Sequence, residues 1–477
     1  LIMIGPVDRL GGKIANSISY VLEGRIWAVF NLLTYLYPDT LKPSGHLNFS
    51  LNKSTSGYVH MVMTLEKICM FDAATKTKSL MPKIITPLWE HQVESVDRIV
   101  ADFNKGFHGR GDASDVGSGK TLTSLAIAVE LIKNNDSVYS GILIMLPNPQ
   151  LIKTWEEEFA KHTKNFDIKY QKNNSDIGKI NNNTIVVSTM AKVRDHPIQN
   201  HWLLVVIDEC LTVQNKNALQ TEEAWRQSLM SKHLLLMSAT FFRTRFDKLY
   251  YMLKMLQTGL PESKDYLDTI LLESIVSKVA TKKRKWHSNI NYFELDNVSR
   301  KEYEMINQKD ISIEAKYSKL SSYLLSSETV NASLIKQLES LVKRMEKDGH
   351  RCLIYARNKE EAERWSDALE IGIYPIKEKH VIITFNDGTY GLNDLVIYDT
   401  IVMIPSIAPD KIVQVKGRLD RPGNEKNELH IEYFVFKNTI DEGLIIRMNM
   451  CSQFVKAHIM PLSKFYDVSV HHKKYIE

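Results

Sequence analysis

Cysteine is scarce in this chain, with four in 477 residues, at Cys69, Cys210, Cys352 and Cys451. Their scatter gives neither the paired spacing of a zinc site nor a disulfide framework, so a reducing compartment is the plain reading. Long apolar runs are missing too. The longest, such as Leu203–Ile207, have the length of a strand, far short of the roughly 20 residues a membrane-spanning helix needs. Residues 1–15 show neither the basic start nor the apolar stretch of a secretory leader. Internal repeats and low-complexity tracts are also lacking, which excludes a fibrous or repeat architecture. Charge of one sign is barely in excess: 61 Lys and Arg against 56 Asp and Glu leave +5, with a pI of about 8.7. That balance is compatible with a polyanionic partner without requiring one.

What is present is a globular composition, 44% hydrophobic and 25% charged, in a chain too long for one core. Two or three domains are expected. A first residue of Leu leads us to expect a fragment, or a chain whose disordered parts lie outside this numbering. Residues 1–82 mix apolar runs with polar turns and give no function; they are read as an N-terminal accessory region. From Pro87 onward, short apolar runs alternate with helix-like stretches, the α/β signature. Gly141–Leu146, Thr184–Ser188, Leu203–Ile207 and His233–Met237 read as buried parallel strands, with helices such as Thr121–Lys133 and Leu151–Phe159 between them. A basic stretch, Lys282–Lys285, reads as a solvated connector, and residues 300–347 as one long charged helical region. A second strand series follows at Arg351–Tyr355, Val381–Ile383, Leu395–Ile397 and Leu429–Phe434. The expected architecture is two α/β halves in tandem, residues 83–274 and 275–448, with a polar tail over 449–477.

The strongest chemical signal is Asp115-Val116-Gly117-Ser118-Gly119-Lys120-Thr121, directly before good helix formers. Gly117 and Gly119 let the backbone wrap closely, so successive N–H groups and the helix N-terminus face a bound triphosphate. Lys120 adds a point charge and the Thr121 hydroxyl suits Mg²⁺. The strand that should feed this loop, Gly109–Ala113, is poorly apolar. Asp208 and Glu209 close a buried strand, where open parallel sheets bind ligands; Asp208 would hold Mg²⁺ and Glu209 would orient or deprotonate a water. Ser238-Ala239-Thr240 follows the next strand. Far away, Arg418 and Arg421 lie three apart, on one face if their segment is helical, and two guanidinium groups aimed at a γ-phosphate would act as arginine fingers.

With these motifs in this order the chain resembles the superfamily 2 helicase-like ATPases, and more narrowly their Snf2-like branch, over Pro87 to Asp441. Leu88-Trp89-Glu90-His91-Gln92 is similar to the adenine-reading segment, with Gln92 as base reader. Leu146-Pro147 with Trp155 and Glu158 resembles motif Ia, and Ser188-Thr189 the next strand-end contact to nucleic acid. Asp208-Glu209 resembles motif II, Ser238–Thr240 motif III and Gly388–Asn393 motif V. Gln414 to Arg421 is similar to motif VI, Asp420–Asn424 is close to the Snf2-type version, and Thr439–Glu442 resembles that branch's closing segment. The resemblance implies two RecA-like parallel-sheet lobes, with ATP and Mg²⁺ between them. It implies catalysis by Lys120, Glu209, Arg418 and Arg421, nucleotide contacts from Gln92, Gly117, Gly119, Lys120, Thr121 and Gln414, and metal contacts from Thr121 and Asp208. Nucleic acid, most plausibly double-stranded DNA, would meet Ser188, Thr189, Gly391 and Asn393.

Two departures stand out. Leu211 occupies the position of the usual motif II His, removing a polar link between nucleotide and motif III. Residues 369–381 are short where the family carries another helix and strand, and missing residues are the expectation, because a deleted element would leave a sheet edge unpaired. The divergent Lys/Ile/Asn-rich sequence is closer to the transcription ATPases of large DNA viruses, an early transcription factor subunit or a termination nucleoside triphosphatase, than to chromatin remodellers. Such a resemblance implies protein partners in a transcription complex, no membrane, and an intracellular place: virion and host cytoplasm for a viral member, nucleus otherwise. The same motifs are compatible with a strand-separating helicase, and Leu211 with a nucleic-acid-binding scaffold whose ATPase is weak.

Overall fold

The computed structural model describes residues 33–34, 36–45, 48–69, 80–239, 241, 246–256, 276–277, 279–281, 283–376, 378–388, 394–405, 409–421, 424–446, 448–449 and 464–466. Two compact units emerge. The first runs to Ala280 and also takes in Lys464–Tyr466, and the second begins at Thr281. Among the described residues no helix is long and apolar enough to cross a membrane.

The first unit opens with an antiparallel hairpin, Leu41–Gly45 with Asn48–Leu51, and a helix, Gly57–Cys69. The α/β part then follows in chain order: α1 (Glu90–Asn104), β1 (Gly109–Asp112), α2 (Lys120–Lys133), β2 (Ile142–Leu146), α3 (Gln150–His162), β3 (Asp167–Tyr170), β4 (Thr184–Thr189), β5 (Trp202–Asp208), α4 (Leu219–Leu229), β6 (Ser231–Met237), α5 (Phe246–Lys254), β7 (Val276–Ser277) and β8 (Val279–Thr281). Seven strands form one parallel sheet in the order β7-β1-β6-β5-β2-β4-β3. The apolar runs read as buried strands are buried strands. Every residue of β2 and β4 is buried, and β5 is buried until its final Asp208.

Strand β1 is fully buried, yet Gly-Arg-Gly-Asp contains no apolar side chain. Its charge is neutralised inside the fold. Arg110 Nε donates to Asp102 Oδ2 of α1 at 2.8 Å, and its guanidinium lies 4.1 Å from the centre of the Phe107 ring. Gly109 is required by space, because a Cβ there would lie 2.6 Å from Leu256 Cα.

The second unit contains β9 (Lys285–Phe293), α6 (Asn297–Asn307), α7 (Ile313–Ser326), α8 (Glu328–Lys347), β10 (Cys352–Ala356), α9 (Lys359–Leu369), β11 (Val381–Thr384), β12 (Thr400–Met403), α10 (Pro409–Leu419) and β13 (Glu428–Phe436). Its five strands are again parallel, ordered β9-β13-β12-β10-β11. Apolar clusters cover both faces, one around Leu334, Trp365 and Phe434 and the other around Tyr355, Ile383 and Leu419.

Four expectations change here. The basic stretch is not wholly a solvated connector: Lys282 lies outside the described residues and Lys283 is exposed, but Arg284 pairs with Asp420 at 3.1 Å and Lys285 opens the nine-residue strand β9 along β13. That strand escaped notice because it is polar. Asn289 and Asn291 donate to the fully buried Glu432 at 2.7 and 2.9 Å, so polar side chains satisfy a core carboxylate. The long helical region is three helices, started by Asp296, Ser312 and Ser327, whose side chains accept backbone N–H groups. Leu395–Ile397 is a 3₁₀ turn, and the strand begins at Thr400; Leu395 is buried but Ile397 is 41% exposed, so the apolar run covers a turn. Finally, the short 369–381 segment covers the edge of β11 itself, with Tyr374 N donating to Ile382 O and Ile382 N to Gly372 O, at 2.8 and 3.0 Å.

Beyond β13, Asp441 is buried in a turn where Thr439 Oγ1 donates to Phe436 O at 2.7 Å and the Asp441 N–H donates to Thr439 Oγ1 at 3.3 Å. Burial pushes its carboxyl up to about 6, against the opposing pull of Arg357. A carboxyl raised in the folded state binds its proton more tightly there. Stability therefore falls as pH rises from about 4 through about 6, then levels off. Asp441→Asn should flatten that decline, which amounts to at most ~3 kcal/mol, in urea unfolding across about pH 4 to 7. An unchanged slope would show that Asp441 does not titrate in this window.

Candidate functional site

Strands β1, β6 and β5 lie side by side with Asp112, Met237 and Asp208 in register at their C-terminal ends. In a parallel sheet this edge is where peptide groups and helix N-termini converge on a ligand. The loop after β1 turns through Gly117 (φ 84°) and Gly119 (φ 79°) into the N-terminus of α2. Both are left-handed positions that glycine takes at low cost. Gly119 is doubly required, since a Cβ would lie 2.3 Å from Gln92 Nε2.

Lys120 curls back over this loop. Its Nζ donates to the carbonyls of Ser114 and Asp115 at 2.7 and 3.1 Å. Ser114 N in turn donates to Asp112 Oδ1 at 2.9 Å. Glycine-shaped turns, a helix N-terminus and an ammonium held by neutral carbonyls together form a cradle for phosphate oxygens. Two side chains of the segment at the start of α1 strap the cradle. His91 Nε2 donates to Ser118 O at 2.8 Å, and Gln92 Nε2 to Gly119 O at 3.1 Å. Gln92 Oε1 also accepts the Trp89 N–H at 2.9 Å. The side chain read as a base reader is thus brought to the loop, buried, with both ends of its amide engaged.

Opposite the cradle, Asp208 Oδ2 accepts Trp155 Nε1 at 3.0 Å and Oδ1 accepts the Glu209 N–H at 3.0 Å. Burial raises the Asp208 carboxyl above its ordinary range, and Asp112 adds to the rise; the Trp155 hydrogen bond and the charge of Lys120 act against it. Glu209 sits at φ 50°, a left-handed position unusual for a side-chain-bearing residue, and strain of this kind clusters at functional sites. Ser238 Oγ donates to Glu209 Oε2 at 3.1 Å. Leu211, in place of a His, is buried apolar core. The loss of one polar link does not disconnect these segments, because Ser238 bonds Glu209 directly.

The donor set fits a hard divalent cation. Asp208 offers a buried carboxylate whose ionisation is penalised until a positive charge faces it, and the Thr121 hydroxyl opens α2. Among the described residues no three His, Cys, Asp or Glu form a protein-only cage. A cation would therefore share its shell with substrate phosphates, the usual arrangement for Mg²⁺.

In the second unit, α10 ends at Leu419, so Arg418 lies in its last turn and Arg421 beyond it, not on one helical face. The two nonetheless converge: both guanidinium groups oppose the burial-driven rise of the Tyr355 phenol at the end of β10. Arg421 Nε donates to Gly417 O at 2.8 Å. Gln414 and Arg418 are buried. Asp420 staples this segment to β9, accepting from Arg284 and from Trp286 Nε1 at 3.2 Å, while Asn424 Nδ2 donates to Tyr398 O and Leu419 O at 2.9 Å each.

Ser188 and Thr189 end β4 as expected, but their hydroxyls serve the fold. Ser188 Oγ donates to Gln171 Oε1 at 2.5 Å, and Thr189 Oγ1 accepts Lys192 N at 3.2 Å. Thr240, Gly391 and Asn393 lie outside the described residues. Sequence reasoning missed the roles of His91 and Asp112. A carboxylate at the end of the short strand that leads into the glycine loop was the available signal for the second, and nothing marked the first.

Residues 85–243 match a family model described as "Type III restriction enzyme, res subunit". Over 474 residues the chain is 59% identical to a protein of Acanthamoeba polyphaga mimivirus named a putative helicase; the match takes in 99% of this chain and 38% of that protein. The chain thus spans well under half of that relative's length. A solved structure, "Sulfolobus solfataricus SWI2/SNF2 ATPase core in complex with dsDNA", aligns over 81% of this chain and 96% of its own, with 14% identity and a TM-score of 0.41.

Trp155 is 1% exposed and its indole N–H serves Asp208. Trp155→Phe keeps most of the ring but leaves a buried carboxylate short of a donor. It should cost about 1–3 kcal/mol in chemical denaturation. A loss well under that range would show that water replaces the indole.

Proposed function

We propose that the chain is a superfamily 2 helicase-like protein and, within it, a nucleic-acid-dependent ATPase of the Snf2-like branch, a translocase hydrolysing ATP between two RecA-like units. The observation that carries this reading is the pairing of Lys120 with Asp208 across the C-terminal edge of one sheet: an ammonium in a glycine-shaped cradle, within electrostatic reach of a desolvated carboxylate.

Each residue then has a task. Lys120 leaves the Ser114 and Asp115 carbonyls for phosphate oxygens, which repay it with formal charge. Asp208 and Thr121 hold Mg²⁺, which supplies charge neutralisation on those oxygens. Glu209, held by Ser238, orients and deprotonates the attacking water. Gln92 reads the base once its amide is released. Arg418 and Arg421, with Gln414, complete the site when the units close, so turnover reports closure. Nucleic acid, double-stranded DNA in the first instance, meets the backbone amides around Ser188 and Thr189 and the segment of Gly391 and Asn393. Phosphate contacts of that kind carry little sequence preference. The mimivirus relative supports a viral setting, and the divergent motif sequence supports a role within viral transcription machinery alongside protein partners.

Lys120→Ala, Glu209→Gln and Arg418→Ala should each lower phosphate release about a thousandfold while leaving circular dichroism unchanged. Full turnover in any of them refutes its assignment. Release rates with duplex DNA, single-stranded DNA and RNA identify the track: stimulation by duplex with triplex displacement and no unwinding supports the translocase, whereas strand separation turns the reading to a helicase. Nucleic-acid binding without stimulated release turns it to a scaffold.

A further inference from the structure

The phosphate loop is fastened to the chain leaving the first unit. Val279, two residues before the second unit begins at Thr281, has both backbone polar groups engaged by the loop. Its N–H donates to Ser114 Oγ at 3.0 Å, and its carbonyl accepts the Asp115 N–H at 2.9 Å. Val279, Ser114 and Asp115 are all buried, at 4%, 3% and 3% exposure, so water does not compete for these bonds.

The Ser114 carbonyl and the Asp115 N–H belong to one planar peptide group, which transmits rotation rigidly between its two ends. At one end the carbonyl accepts Lys120 Nζ at 2.7 Å; at the other the N–H donates to Val279. A cation on the carbonyl polarises the peptide and strengthens the bond its N–H makes, an effect that is largest where water is excluded. The charge of Lys120 is thereby felt at Val279 through a single amide. Asp112 anchors the preceding peptide by accepting Ser114 N at 2.9 Å.

We propose that Ser114 is a positioning residue that couples occupancy of the phosphate site to the chain leading into the second unit. While Lys120 rests on the Ser114 carbonyl, the clip on Val279 is tight. When the ammonium moves to a phosphate, the peptide loses its polarising partner and the clip loosens, freeing the chain at Val279 at the moment a nucleotide arrives. The inference rests on reading this loop as a triphosphate site.

The test is hydrogen–deuterium exchange of the whole chain with Mg²⁺ and a non-hydrolysable ATP analogue, with analogue binding measured by calorimetry on the same samples. In the wild type, exchange should speed up about fivefold on binding, the equivalent of one modest hydrogen bond, both in the peptide carrying Asp115, whose N–H makes the polarised bond, and in the peptide carrying Val279, whose N–H makes the other bond of the clip. Ser114→Ala should exchange fast with or without analogue, and Ser114→Thr, which keeps the hydroxyl, should restore the wild-type response. Lys120→Ala should exchange fast without analogue, and it carries the test should Ser114→Ala fail to fold. An analogue that binds while Val279 exchange stays constant, or a Ser114→Ala variant that keeps the wild-type response, overturns the coupling. Failure of the analogue to bind the wild type overturns the site reading instead, and the coupling with it.

Discussion

An ammonium group partly withdrawn from water must be given oxygen atoms, and in this protein that requirement organises the phosphate loop. Lys120 satisfies it with the carbonyls of Ser114 and Asp115, which only a loop wrapped through Gly117 and Gly119 can present. The wrapping in turn needs the flat Gly119 surface on which Gln92 lies, and the His91 ring that holds Ser118. A neutral carbonyl is a weaker partner for a cation than a phosphate oxygen. The arrangement is therefore stable enough to keep the loop shaped and weak enough to be displaced.

The facing carboxylates obey the complementary rule. Asp208 and Asp112 end strands two apart in the same sheet, and burial makes the charge of Asp208 expensive. Trp155, the Glu209 N–H and Lys120 offset part of that cost, leaving a pocket that favours added positive charge. Leu211 then takes on a different meaning. The position contributes core packing, and the polar connection between the Asp208-Glu209 strand end and the strand ending at Met237 runs through Ser238 to Glu209.

The second unit solves its polar problems with side chains from distant segments. Glu432, fully buried in β13, is satisfied by Asn289 and Asn291 of β9. Asp420 is held by Arg284 and Trp286 at the start of the same strand, which keeps the Arg418–Arg421 segment in place. One polar strand thus braces both the core and the arginine pair.

How much of this was readable beforehand depended on whether the determining contacts were local. Parallel strands buried on both faces must be apolar throughout, so β2, β4, β5 and β6 announced themselves, as did the glycine-lysine loop and the Asp208-Glu209 strand end, whose spacing alone implies their chemistry. The Asp, Ser and Asn caps of α6 to α9 were present as well, but a continuous charged stretch hid the breaks between the first three helices. Strand β1 was legible only from its place before the glycine loop, and β9 not at all, because their polar residues are satisfied by partners outside the strand: Arg110 by Asp102 of α1, and Asn289 and Asn291 by Glu432 about 140 residues away. The fastening of Val279 to Ser114 spans 165 residues and pairs one serine hydroxyl with a backbone N–H that every sequence possesses. The order of amino acids by itself determined which segments could be buried and which could wrap a phosphate; only folding in three dimensions decided which buried charge meets which partner, because hydrogen bonds between remote residues leave no period or spacing along the chain.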